Sequence, residues 1–343
     1  MSARRSWARP LVPAYAAALS IKDALRRAGV LRMRRLQWPV ISVGSLSAGG
    51  AGKTPVVIAL AKLLAEGGWA VDVLSRGYGR KARDTEQVRV GSEDAASLFG
   101  DEPVLIAEQT NVSVWVGADR FEAGERAEAA AGDTPRRVHL LDDGFQHRQL
   151  ARTIDIVLIT VEDLDDALLP AGNLREGLSV LNRADVVVVR EDEFDAVGKR
   201  VWALVREGAQ MWTVRRTLRF PAPLFVFGAG LRPVAFCAIA RPEGFAAMLQ
   251  DSGCGVIETV AFSDHHRYAM ADIERVIAVA KSLNGSGFVT TEKDAVKLTV
   301  QMCGRLEEVG PLMVVALEVA FVDAQAVLRS LEAKLLVGED RAK

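Results

Sequence analysis

The chain has 343 residues, half of them hydrophobic and a quarter charged, and its 43 basic and 44 acidic side chains leave a formal charge of −1. That length can bury a large core and suits two domains, while near-neutrality gives no general pull toward nucleic acid, so any electrostatic partner must be read locally. Cys237, Cys254 and Cys303 are scattered without CxxC spacing, which excludes a disulfide framework or a zinc site and fits reduced thiols in a cytosolic compartment.

Residues 1–38 differ in kind from the rest. They carry nine basic side chains (Arg4, Arg5, Arg9, Lys22, Arg26, Arg27, Arg32, Arg34, Arg35) against a single acid, Asp23. The uncharged run PLVPAYAAALSI at 10–21 falls short of the roughly 20 apolar residues needed to cross a bilayer. It has the length of a signal-peptide core, yet no clear cleavage site follows and a nucleotide loop begins soon after. Leu11, Ala14, Ala18, Ile21 and Leu25 recur at three- and four-residue spacing, which predicts a helix with an apolar stripe flanked by cations. Such a helix can lie in a membrane interface, where each basic group adds on the order of 1 kcal/mol near anionic lipid. It can equally pack on its own domain with a solvated basic face.

Residues 40–64, VISVGSLSAGGAGKTPVVIALAKLL, read as a buried strand, a loop rich in Gly and Ser, and a helix opening near Lys53. That order makes a phosphate cradle. Backbone N–H groups at Gly49, Gly50, Ala51 and Gly52 can converge on an anion with the positive end of the helix dipole behind them. Lys53 would reach the β- and γ-phosphates of a nucleotide, and the Thr54 hydroxyl would ligate Mg²⁺. Ser47 stands where the strict P-loop pattern has Gly.

A strand at 70–74 runs into Ser-Arg-Gly-Tyr-Gly-Arg, with Arg76 at its C-terminal end, where open α/β sheets bind ligands; a solvent-exposed turn is the other reading. Asp101 and Glu102 open an apolar helix. They either complement its dipole or, beside a P-loop, hold Mg²⁺ or accept the proton of an attacking hydroxyl. A strand at 112–116 leads to Arg120, and a helix follows over 121–131. A further strand at 138–141 ends in Asp142-Asp143-Gly144-Phe145-Gln146-His147. An apolar strand ending in Asp downstream of a P-loop is the Walker B arrangement, in which a carboxylate holds Mg²⁺ directly or through water; a capping pair of acids is the other reading.

Strands at 154–160 and 184–189 continue the alternation, with Arg175 in the loop between them, and imply a parallel, doubly wound sheet. No NKxD guanine-reading element follows these strands, which favours adenine. Pro221 and Pro223 separate β-rich runs at 212–220 and 224–227 that suggest a two-stranded connector. Beyond it α/β alternation resumes around Phe262-Ser263-Asp264-His265-His266. Adjacent residues on an extended segment point oppositely, so this pair makes no metal site alone, while one His can help an acid orient a hydroxyl.

The chain resembles the tetraacyldisaccharide 4′-kinase family of the lipid A pathway in eight segments that follow the family's order. They are GSLSAGGAGKTP at 44–55, LSRGYGR at 74–80, GDEP at 100–103, DDGFQH at 142–147, LLPAGNLRE at 168–176, AIARPEGF at 238–245, FSDHH at 262–266 and VTTEKDAVKL at 289–298. Departures are small: Ser45 for a usual Asn, Ala51 for a frequent Thr or Ser, and Ala238 for a usual Gly. The family tolerates Ser or Thr at the position of Ser47.

The resemblance implies that ATP donates its γ-phosphoryl group to the 4′-hydroxyl of a tetraacylated glucosamine disaccharide 1-phosphate, giving lipid IVA. It also implies a peripheral or monotopic position on the cytoplasmic face of the inner membrane, with residues 1–38 on its anionic surface. Carried over by residue, Lys53 and the loop at Ser47, Gly49, Gly50, Ala51, Gly52 and Thr54 hold the phosphates. Thr54, Glu102 and Asp142 form the Mg²⁺ shell. Asp101 is the candidate base, paired with His265, and Arg175 neutralises charge on the transferring group. Arg76, Arg120, Asp143, Gln146 and His147 support the site or contact substrate.

The expected architecture is a P-loop NTPase-like, mostly parallel, doubly wound α/β sheet with a second, smaller α/β domain. The boundaries are a basic amphipathic arm over 1–38, a P-loop kinase domain over 39–211, a β connector over 212–233 and a C-terminal α/β domain over 234–343. On that division Asp101 and His265 lie in different domains and meet only if these close over ATP. Two other functions share some of these features: a membrane-tethered nucleotide switch, and a soluble small-molecule kinase.

Overall fold

The computed structural model describes residues 5–81, 83–92, 94–132, 136–221 and 232–340. Its strands are β1 (Val40–Ser45), β2 (Ala70–Ser75), β3 (Glu86–Gln87), β4 (Ser113–Val116), β5 (Arg137–Asp142) and β6 (Ile154–Leu158), followed by β7 (Val186–Arg190), β8 (Gln210–Arg219), β9 (Pro233–Cys237), β10 (Glu258–Ala261), β11 (Gly287–Thr291) and β12 (Leu312–Phe321). The run at 224–227 and Arg4 lie outside the described residues.

Two compact units share the chain. Met1–Arg76, Val112–Arg215 and Ala320–Lys343 form the first, and Gly77–Asn111 with Arg216–Val319 form the second. This division departs from the sequence-based boundaries in three places, each with a local cause. β8 is no free-standing connector, because it pairs in parallel with β7 from Val186 opposite Gln210 to Arg190 opposite Val214. The C-terminal helix Ala324–Asp340 belongs to the first unit, where Ser330 Oγ donates to Gln210 Oε1 (2.6 Å) and Glu332 pairs with Arg136 (3.7 Å). Residues 77–111 belong to the second unit, where Gln109 donates to Glu292 and Lys293 donates to Glu102 (2.9 Å).

In the first unit the strands run β8-β7-β6-β1-β5-β2-β4, with every neighbouring pair parallel. β1 is central and buried along its whole length, as an apolar VISV run covered on both faces must be. At Gly44 the backbone of β1 meets the segment after β5 so closely that a Cβ would stand 2.6 Å from Phe145 Cβ and 2.8 Å from its amide nitrogen. Phe145 itself is fully buried among Leu46, Val157, Leu174 and Leu181. Gly44 and Phe145 thereby fix the β1 and β5 ends side by side.

The arm folds as Ser6–Leu11, a short 3-10 turn, and the helix Val12–Arg27. Leu11 (52% exposed), Ile21 (61%) and Leu25 (40%) face solvent together with Ala14 and Ala18, so the whole apolar stripe is uncovered. The opposite face is the one held to the first unit. Tyr15 Oη donates to the Arg175 carbonyl (2.9 Å), and Asp23 accepts from Arg148 (2.6 Å). No helix among the described residues is long and apolar enough to cross a membrane.

The second unit carries a parallel sheet in the order β10-β9-β11-β12. Phe236, Phe288, Ile273 and Val276 fill one side, and Tyr268 packs edge-on against Phe236 and Phe262. Helices alternate with strands in both units, as expected of an α/β fold with mostly parallel sheets.

Candidate active site

Every candidate residue of the first unit comes from the C-terminal end of a parallel strand. The phosphate loop follows β1, Arg76 follows β2, Arg120 follows β4, residues 142–147 end and follow β5, and Arg175 follows β6. This is the edge at which open α/β sheets bind ligands.

The loop has the backbone its composition predicts. Gly49, Gly50 and Gly52 adopt φ of 85°, 73° and 82°, a region that residues with a Cβ avoid. The helix Lys53–Glu66 starts directly after Gly52 with no side-chain cap, so its first N–H groups have no intrahelical partner and face any anion seated there. Ser47 is buried, and its Oγ finds no partner among the described residues. Ser45 Oγ donates to Ser47 O (2.9 Å) and accepts from Lys53 Nζ (3.3 Å). Lys53 also lies 3.5 Å from Asp143 Oδ1.

Asp143 is the hub of the neighbouring charges. Arg175 Nη1 donates to both its oxygens (2.9 and 2.8 Å) and to Gln146 Oε1 (3.4 Å), and Gln146 Nε2 donates to Ser45 O (3.0 Å). Burial pushes the Asp143 carboxyl up, but Lys53 and Arg175 outweigh it and hold the group below the usual carboxylate range. Its φ of 48° is left-handed, one of three such non-glycine values among the described residues.

Asp142 is buried, is paired with Val43 across β1 and β5, and accepts from Ser75 Oγ through Oδ2 (3.0 Å). Arg120 is 6% exposed and donates to Ala118 O (3.1 Å), while its Nε has no acceptor among the described residues. Burial lowers its pKa, as does the like charge of Arg76, with Asp143 and Asp142 acting the other way. His147 is pushed down to about 4 by burial and by Arg120, so it is neutral at physiological pH. A buried cation short of acceptors beside a phosphate loop is equipped to receive an anion.

The second unit contains the other expected group. Asp101 opens the helix Asp101–Gln109, and His265 follows β10; both belong to this unit. They are already joined: His265 Nδ1 lies 2.9 Å from Asp101 Oδ2 and 3.2 Å from Oδ1. The expectation that the pair forms only on domain closure is therefore corrected. It arose because residues 77–111 read as part of the first domain. His265 adopts a left-handed φ of 59°, with its N–H donating to Ala238 O (3.2 Å). Such backbone strain persists only where the surroundings enforce it.

Burial pushes Asp101 up, but the His265 hydrogen bond and the Lys293 charge override it, leaving the carboxyl below its usual range. The Asp101 hydrogen bond raises His265. A raised imidazole contributes stability that is complete below its unfolded value of about 6.5 and is lost as pH rises through the folded value. A depressed carboxyl contributes above about 3.9 and loses that contribution as pH falls through its folded value. The pair thus supports the fold most in the weakly acidic range between them. Titration of His265 followed by NMR should give a midpoint above about 6.5, and Asp101→Asn should drop it below that value because burial and Lys293 remain. An unchanged midpoint in Asp101→Asn would show that the carboxylate does not control the imidazole.

Two residues near the pair had no assigned role from sequence. Lys293, after β11, donates to Glu102 Oε1 (2.9 Å) and lies 3.5 Å from His265 Nε2. Asp294, fully buried, accepts from the Ala238 N–H (3.1 Å to each oxygen) and from Thr291 Oγ1 (2.7 Å), and so fixes the end of β9, where the Ala238 carbonyl accepts from the His265 N–H. The signal available was TTEKD itself, whose charged residues follow a strand as the acids of the first unit do. Tyr15 and Ser75 gave no such signal.

No group of three or more His, Cys, Asp or Glu suited to a metal ion occurs among the described residues. Mg²⁺ needs no such group, since it keeps several waters and takes one or two carboxylates with substrate phosphates. Thr54 and Asp142 are buried oxygen donors at the ends of neighbouring elements and fit that requirement. Glu102 is engaged by the Lys293 ammonium, so a cation there would compete with it.

The profile of the tetraacyldisaccharide-1-P 4′-kinase family matches residues 4–336. A tetraacyldisaccharide 4′-kinase of Koribacter versatilis is 39% identical over 326 residues, covering 93% of this chain and 96% of that one. A namesake from Xanthomonas axonopodis is 38% identical over 301 residues, covering 84% and 83%. A solved structure of LpxK from Aquifex aeolicus in complex with ATP has a TM-score of 0.75 and 30% identity, covering 96% of this chain and 99% of that one. The chain belongs to the tetraacyldisaccharide 4′-kinase family.

Proposed function

We propose that this chain transfers the γ-phosphoryl group of ATP to the 4′-hydroxyl of an acylated glucosamine disaccharide 1-phosphate in lipid A biosynthesis. The Asp101–His265 contact in a chain of this family carries the reading, because a nucleotide switch has no use for a proton acceptor reserved for a substrate hydroxyl.

In this reading the N–H groups of the glycine loop and Lys53 bind the β- and γ-phosphates, and Arg175 offsets charge that spreads over the transferring group. Asp101 accepts the proton from the 4′-hydroxyl as its oxygen bonds to the γ-phosphorus and the bond to the bridging oxygen of ADP breaks. His265, bonded to Asp101 through Nδ1, orients that carboxylate. Mg²⁺, held by Thr54 and Asp142 with Glu102 as a further candidate, would neutralise phosphate charge when bound. Arg120 and Arg76 would contact anionic groups of either substrate.

The uncovered stripe of the arm, with Arg5, Arg9, Lys22, Arg27 and Arg32 exposed around it, supports a peripheral seat on an anionic lipid surface, the cytoplasmic face of the inner membrane. Ile21→Glu with Leu25→Glu removes two exposed apolar groups without touching the core. Binding to phosphatidylglycerol vesicles should weaken by at least roughly tenfold. Unchanged binding would assign membrane contact elsewhere.

The function itself is tested by incubating the chain in detergent with radiolabelled ATP, Mg²⁺ and the disaccharide 1-phosphate, then locating the new phosphate. Label at the 4′-position, with ATP consumed in step with acceptor, supports the kinase. ATP hydrolysis indifferent to the acceptor would support the switch.

A further inference from the structure

The arm does more than expose an apolar stripe. Its opposite face ends on the loop that supplies Arg175, and that loop is bonded to the phosphate loop. Tyr15 Oη donates to Arg175 O (2.9 Å), and the Arg175 N–H donates to Leu46 O (2.7 Å). One residue is thus pinned on one side to the arm and on the other to the lead-in of the phosphate loop. Two residues earlier the same contact repeats, with the Ala48 N–H donating to Asn173 O (2.8 Å) and Ser47 bridged to Leu174. The Arg5 N–H closes a second tie from the arm to Ala171 O (3.0 Å).

The intervening loop is stiff. Asp166 accepts from the Ala167 N–H (2.8 Å), the Asn173 N–H (3.0 Å) and Asn173 Nδ2 (3.0 Å), which cross-links its two ends. Leu174 is buried in the core beside Leu46 and Phe145. A shift at Tyr15 therefore passes to the Arg175 backbone rather than dissipating in the loop. Burial and the nearby Glu176 carboxylate push the Tyr15 hydroxyl above its ordinary value, so it remains a donor at physiological pH.

We infer that Tyr15 is a positioning residue: its hydroxyl ties the arm to Arg175 and so sets where the guanidinium stands for phosphoryl transfer. The inference rests on the role given to Arg175 above. Arg175 reaches Asp143, and through it Lys53, with a single nitrogen, Nη1, so a small displacement of its backbone alters the charge balance at the loop. Seating of the arm on lipid and readiness of the phosphate site become linked, with the Tyr15 hydroxyl as the tie that acts on Arg175 itself.

Tyr15→Phe removes that bond alone. The arm stays attached through Asp23 and Arg148, and the backbone ties of Arg34 to Gln149 and Ala151 persist. In detergent with ATP and the disaccharide acceptor, kcat should fall by roughly three- to tenfold, the worth of one hydrogen bond. KM for ATP, the unfolding midpoint and binding to anionic vesicles should stay close to wild type. A merely structural role would lower activity in any background. If Tyr15 acts through the Arg175 side chain, Tyr15→Phe should cost less than about twofold once Arg175→Ala is present. Equal proportional losses in both backgrounds, or full kcat in Tyr15→Phe, overturn the inference while leaving Arg175 its role. Near wild-type kcat in Arg175→Ala overturns both.

Discussion

Lys53→Ala should lower kcat/KM for ATP-dependent transfer by about 10²–10³-fold, the usual consequence of removing one preorganised charge donor from a phosphoryl-transfer site. The ammonium is largely enclosed, with a side chain 12% exposed, and is held between Ser45 Oγ and Asp143. Its attraction for phosphate therefore acts in a medium of lower dielectric than water. Removal has a second consequence. Asp143 would keep Arg175 as its close cation, drawing the guanidinium away from any phosphoryl group it is meant to meet. Both binding and turnover should suffer, with ATP affinity measured by calorimetry weakening alongside the rate. Lys53→Arg should restore little, because a planar guanidinium does not take the place of a compact ammonium at the mouth of a glycine loop. Transfer by Lys53→Ala within about tenfold of wild type would remove the loop from the chemistry.

The first unit was readable from sequence because its site is built from strand ends. An apolar run followed by Gly-rich or Asp-rich chemistry marks both an element and the edge where it stops. Hence β1 and its loop, and β5 with Asp142 and Asp143, emerge close to their actual bounds. Partition of the chain was not readable in the same way. Residues 77–111 leave β2 and are captured by the second unit through Gln109–Glu292 and Glu102–Lys293, contacts between residues far apart in sequence that no local pattern announces. The β-rich run at 212–220 gave a strand but not its neighbour, and the pairing with β7 makes it part of the first sheet. The arm's helix and its apolar stripe followed from spacing, but that the stripe faces solvent rather than its own domain did not. Tyr15 could not, since its importance comes from a carbonyl 160 positions away.

Asp101→Ala should reduce kcat by about 10²–10⁴-fold, the range for loss of a general base, with affinity for ATP changed by little. The split follows from position. Asp101 and His265 belong to the second unit, whereas the glycine loop, Lys53 and Arg175 belong to the first, and a general base acts on the acceptor hydroxyl rather than on the bound nucleotide. His265→Ala should cost less, because Asp101 would remain a carboxylate but lose the bond that orients it and gain freedom to turn toward Lys293. The two groups act as one device, so the double variant should be no slower than Asp101→Ala alone. Asp101→Asn is the sharper control: it keeps shape and can still bond to His265, yet it cannot accept a proton at neutral pH. Should Asp101→Asn turn over near the wild-type rate while Asp101→Ala does not, the carboxyl would be a structural support of His265, and the proton acceptor would have to be sought among Asp264 and the imidazole itself. Loss of equal size in both variants, with ATP still bound, is the outcome that makes Asp101 the base.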